Sequence, residues 1–219
     1  MKSCFVFFSL MFGCYLYSQN TRADKLIAET QYVRQIENNM KLLWWIPTEY
    51  WEVALENNKS SATEEQIKYL KELLDDYIIM VAGDYSLTTQ NGEMSFNVNS
   101  NIKEKMFLYE PQGGKLKALK NDEIDGRVVV IVNETLKPLF AQMLGKMGGG
   151  AEFFIYNNKK DGTRIIDPTK TGSFHVELGK ENFLWKLPLI SLMKEKTCPV
   201  DQETMEGNWI YCPIHGQKL

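Results

Sequence analysis

Apolar residues in the first third of the chain recur at three- and four-residue intervals. Leu26, Val33, Ile36, Met40 and Leu43 form one stripe, polar RQIENN fills the opposite side, and Pro47 ends the run. Positions three and four apart share one helical face, so this spacing predicts a helix from Asn20. Thr48 opens a second short helix through Leu55, and NNKSS reads as a linker turn. Thr63 followed by Gln66 makes a capping box for a third helix, with Ile67, Leu70, Leu74 and Tyr77 on one stripe.

After Tyr77 the period changes. YIIMVAGDYSLT, GEMSFNVNS, EKMFLYEP and GRVVVIVN are short, apolar or alternating, and bounded by Gly, Asn and Pro, which predicts strands. NETLKPLFAQMLGKM predicts a helix, started at Asn133 or just before Pro138 and ended by Gly148-Gly149-Gly150. Strands resume at AEFFIYN, GSFHVELG and NFLWKLPL, with turns at Asp161-Gly162 and Gly179-Lys180 that imply antiparallel neighbours. Helices grouped ahead of strands, without steady alternation, predict an α+β fold. Its form is a layer of N-terminal helices on a mainly antiparallel sheet, spanning 19–196, with a small C-terminal appendage at 197–219.

The N-terminus adds a destination. Lys2 is followed by an apolar run from Cys4 to Leu16, then small Ser18 and polar Gln19-Asn20. A cationic start, a run too short for a stop-transfer helix and a small exit residue describe a secretory signal peptide over 1–18. Its style resembles the leaders of secreted bacterial proteins. The product is secreted or periplasmic; the minor alternative is a lipoprotein anchored through Cys14, on a loose match of LMFGC to a lipidation box.

Without Lys2, the chain's 25 Lys and Arg become 24 against 28 Asp and Glu, a net charge of −4. Interspersed, mildly acidic charge gives no footprint for nucleic acid. No later segment is long and apolar enough to be a transmembrane helix. Cys4 and Cys14 leave with the leader, so Cys198 and Cys212 remain.

Several stretches invite chemistry. WWIPTEYWE gathers Trp44, Trp45, Tyr50 and Trp51, a candidate binding surface for a sugar or partner, or a buried corner where two helices turn at Pro47. Glu49 and Glu52 complement the dipole of the second helix. In SFHVEL, Ser173, His175 and Glu177 alternate onto the outer face of a strand, a flat line that does not make a nucleophile and its base. GKMGGG has the wrong order for a phosphate loop, since a helix leads into the glycines. Asp167-Pro168 marks a turn, and Asn133-Glu134-Thr135 matches a glycosylation acceptor in form only.

The tail has the most specific spacing. Cys198-Pro199-Val200-Asp201 and Cys212-Pro213-Ile214-His215-Gly216 each set two ligand-type side chains three residues apart, so that a tight turn aims both at one ion. Between them QETMEGNWIY is long enough for a hairpin turning at Glu206-Gly207-Asn208. Residues 197–219 thus resemble a zinc ribbon, a family built from two C-P-x-C-G knuckles, with Asp201, Gln202 and His215 as departures from its pattern. The resemblance implies one structural zinc held by Cys198, Asp201, Cys212 and His215. An exported chain also favours a Cys198–Cys212 disulfide, whose 15-residue loop is worth about 3 kcal/mol. A third alternative is a vestigial ribbon held by Trp209 and Tyr211.

The functional expectation is an exported, non-enzymatic binding or interaction protein whose partner is an unidentified protein or small ligand. The alternative is an exported hydrolase of unfamiliar type, with a site assembled from Glu49, Glu52 and Asp167.

Overall fold

The computed structural model describes residues 21–57, 63–90, 93–99 and 101–219. The expected leader with Cys14, and most of the NNKSS turn, lie outside the described residues.

The first helix, α1 (Arg22–Thr30), is capped reciprocally by Thr21 and Asp24, then ends far earlier than its apolar spacing predicts. The chain turns instead into a hairpin of β1 (Gln31–Ile36) and β2 (Asn39–Ile46), with Gln31 opposite Trp44 and Glu37 at φ 51 in the turn. Strand β2 is central and covered on both faces, so its sequence is a near-continuous apolar run rather than an alternation. Its residues mimicked a helical stripe by coincidence of spacing.

Helices α2 (Glu49–Asn57) and α3 (Glu64–Leu74) form as expected, the second with the Thr63/Gln66 capping box. The long strand β3 (Tyr77–Gln90) follows, then β4 (Glu93–Val98), a helical turn α4 (Ile102–Lys105), and β5 (Met106–Tyr109) with β6 (Lys115–Leu116).

GRVVVIVN is the second correction. It is helical: α5 (Gly126–Val130), a π-helical turn (Ile131–Leu136) and α6 (Lys137–Leu144) run continuously. The Asp125 side chain accepts from Arg127 N at 2.8 Å and starts the helix. Val128, Val132, Leu136 and Phe140 bury at four-residue intervals, which overrides the β preference of a branched run. Gly145, at φ 56, ends α6 before the glycine triplet; α7 (Lys146–Gly149) is a single further turn.

The remaining elements are β7 (Glu152–Asn157), the small hairpin β8 (Lys159–Lys160) and β9 (Thr163–Arg164), and β10 (Gly172–Leu178) with β11 (Glu181–Leu187). Asp161 and Gly162 have positive φ in one turn, and Gly179 in the other. The tail adds β12 (Lys196–Thr197) and β13 (Thr204–Met205).

The result is an α+β fold of three layers. Strand β3 pairs with β2 along one edge, while β7 and β4 share its other edge in succession, all antiparallel. A second antiparallel sheet has the order β11-β10-β5-β6. The core between the sheets includes Leu43, Trp45, Met80, Phe174, Phe183 and Trp185. The opposite face of the first sheet, with Trp44, Ile46 and Val81, packs on the 126–144 helix and Leu74 of α3.

Candidate metal centre

The tail carries its own small core of Cys198, Met205 and Cys212 with Trp209 and Leu219. Pairing runs across each knuckle rather than between them. Thr197 faces Thr204 on either side of the first, and Tyr211 bridges Lys218 on either side of the second.

The two turns have the same backbone. Cys198 N donates to Glu203 O at 2.9 Å and Gln202 N to Cys198 O at 3.0 Å. Cys212 N donates to Gln217 O at 2.7 Å and Gly216 N to Cys212 O at 2.8 Å. The first knuckle therefore forms without its glycine.

These turns bring both sulfurs and one imidazole together. His215 Nδ1 lies 3.4 Å from Cys198 Sγ and 3.6 Å from Cys212 Sγ. All three ligand atoms fall within 4.8 Å of one another. Zinc at about 2.3 Å from sulfur and 2.0–2.1 Å from nitrogen, in tetrahedral array, sets each S···N edge at about 3.5 Å. The three donor atoms lie close enough together to hold a metal ion.

Asp201 approaches from the imidazole side, its Oδ2 being 3.5 Å from His215 Nδ1. Its Oδ1 accepts from Glu203 N at 3.0 Å and so stiffens the first knuckle. It stands outside the mutually close group of three, at the edge of the site.

Both cysteines are buried free thiols. Burial pushes the Cys198 thiol up. Burial acts the same way on Cys212, but hydrogen bonds from the His215 and Ile214 N–H groups outweigh it and bring that thiol down. The second knuckle thus aims the His215 amide at the Cys212 sulfur, at 3.4 Å.

The other sequence candidates do not assemble. Trp44 and Trp45 are 3% and 2% exposed and point to opposite faces of β2, so they cannot share a surface with Tyr50 and Trp51. Tyr50 packs edge-on against both Trp44 and Trp51, and the Tyr50 and Trp51 rings are only half-buried. The acids are held separately: Glu49 by Arg164, Glu52 by Lys71, and Asp167 by Lys170. Burial would raise the Asp167 carboxyl, but hydrogen bonds from Thr169 and Lys170 hold it below the usual range. His175 stacks on Tyr109 at 4.5 Å, and Tyr109 donates to Glu177 at 3.0 Å on the outer face of the second sheet.

A cleft of about 600 Å³ lies between α1, residues 190–195 and the tail at Glu206-Gly207. Three separate stretches line it, and only their meeting in the fold reveals it. Among the described residues no helix is long and apolar enough to cross a membrane. No protein-family model matches the chain, and neither a curated protein nor a solved structure is significantly similar to it.

Proposed function

We propose that the chain is an exported, non-enzymatic binding protein whose C-terminal tail is a ribbon-like module closed by one structural zinc. The observation that carries the metal is His215 Nδ1 at 3.4 and 3.6 Å from the two sulfurs, the S···N edge of a zinc tetrahedron. Cys198, Cys212 and His215 supply three donors, and Asp201 completes the set from the imidazole side. Zinc there supplies cross-linking, tying two turns that have only a few apolar residues between them. Support for a binding role over hydrolysis is that Glu49, Glu52 and Asp167 each face a different cation. Support for export is the charge and apolar pattern of residues 1–18.

The test is native mass spectrometry on protein purified reduced, loaded with zinc and dialysed. One zinc per chain is expected, lost in Cys212→Ser. A mass lower by two hydrogens with no metal would give the tail to the Cys198–Cys212 disulfide. Two free thiols without metal would leave the vestige.

A further inference from the structure

The cleft between α1 and the tail joins apolar surface to charges of both signs, Arg22, Lys25 and Lys194 with Glu195 and Glu206. Ile190, Leu192 and Met193 line it beside Lys25 on the helix wall and Glu206 on the tail wall. Lys25 and Glu206 are both half-buried, and neither has an ion-pair partner among the described residues. Ser191 also lines the cleft; it is 7% exposed, and its Oγ is buried beneath the wall rather than open to the cleft. Its backbone is firmly set, with N donating to Glu29 Oε2 at 2.9 Å and O accepting from Arg22 Nε at 3.0 Å. These two bonds hold this part of the wall in place.

A partly desolvated cation and anion without ion-pair partners are costly to keep. A molecule bearing both charges satisfies both at once. The volume falls in the range of about 300–1,000 Å³ typical of small-ligand sites.

We propose that this cleft binds a free amino acid or short peptide with apolar side chains. Its carboxylate meets Lys25, its ammonium meets Glu206, and its side chains cover Ile190, Leu192 and Met193. This rests on the reading of the chain as a binding protein and names the ligand class. The tail supplies the Glu206 wall, so the same segment holds the metal donors and one arm of the ligand site.

Isothermal titration calorimetry of the zinc-loaded protein tests it with leucyl-leucine, its N-acetylated form and its C-terminal amide. The free dipeptide should bind saturably, and each blocked form at least about tenfold more weakly, since each loses a charge-assisted contact. Lys25→Gln should remove the discrimination against the amide alone, and Glu206→Gln that against the acetylated form alone. Equal binding of free and blocked forms, or variants that leave the discrimination intact, would overturn the proposal. No binding of the free dipeptide at millimolar concentration, with one zinc per chain on the same sample, sinks the cleft and spares the metal. Binding without any zinc retained sinks the metal and spares the cleft.

Discussion

Gln202 and Gly216 occupy the same place in two equivalent turns, at φ 63 and φ 64, each donating its N–H to the carbonyl of the cysteine four residues earlier. That backbone region suits glycine and strains a residue with a β-carbon.

Gln202→Gly should therefore stabilise the tail by about 1 kcal/mol, as relieved strain exceeds the added freedom of the unfolded chain. Gly216→Gln should cost a similar amount, with no steric part, because a β-carbon there meets nothing within 4 Å. Zinc affinity under competition with a chromophoric chelator reads both changes. If Gln202→Gly weakens metal binding, the equivalence of the two knuckles has no energetic meaning.

Zinc held by two thiolates and a neutral imidazole must displace protons, so its affinity should fall as pH falls. Each proton released contributes about tenfold per pH unit. Asp201→Cys should tighten zinc by replacing an oxygen donor with sulfur, and Asp201→Ala should loosen it. The alanine variant also removes the bond to Glu203 N, so Asp201→Asn is the cleaner probe of charge. A pH-independent affinity between pH 6 and 8 would remove the thiolates from the ligand set.

Arg164 joins Glu49 of α2 to Asp75 at the end of α3, and Lys159 also reaches Asp75. All these side chains are less than a third exposed. Arg164→Ala should cost about 1–3 kcal/mol at pH 7, discounted for partial solvent screening. Burial would raise the Asp75 carboxyl, but the hydrogen bonds and charges of Arg164 and Lys159 hold it below its usual value. Its stabilisation is thus present above the unfolded carboxyl value near about 4 and lost as pH falls through the depressed folded value. Urea melts of parent and variant should converge towards pH 3. A gap that persists there would mean that Arg164 acts by packing.

Trp45 meets Phe174 edge-on at 4.8 Å, and Phe174 stacks on Trp185 at 5.0 Å. Truncating Trp45 to alanine should cost about 3–5 kcal/mol, because little around it can collapse into the void. Trp51→Ala should cost less, since that indole is half-exposed and its buried Nε1 has no partner to lose. Equal melting temperatures for parent and Trp45→Ala would contradict the packing.

Local signals in the sequence proved sound where one short stretch decided the outcome. The Thr63/Gln66 box, the alternation of β10 and β11, and the Asp161-Gly162 and Gly179 turns appear as their chemistry predicts. Failures fell where tertiary cover decided. Val33, Ile36, Met40 and Leu43 imitate a helix because β2 is apolar on both faces and β1 is an edge strand exposing Val33 and Ile36. The valine-rich run reads as a strand until Asp125 is recognised as a cap and the four-residue spacing from Val128 to Phe140 is followed across Pro138. At the metal centre, residue types and spacing were legible. The shared backbone of the knuckles was not, because Gln202 hides the turn that a glycine would announce.

Trp44 and Trp45 are neighbours in sequence, yet they report on different halves of the molecule. Trp44 donates to Thr30 Oγ1 at 3.2 Å and leans on Phe140 of the helical layer, while Trp45 lies between the sheets. One strand thus carries two adjacent optical probes, each with its own apolar surroundings. In a chain whose Trp51, Trp185 and Trp209 are replaced, silencing either indole makes the fluorescence of the other a record of a single layer. The time difference between those two records measures directly whether the helical layer and the second sheet lock onto β2 together or in turn.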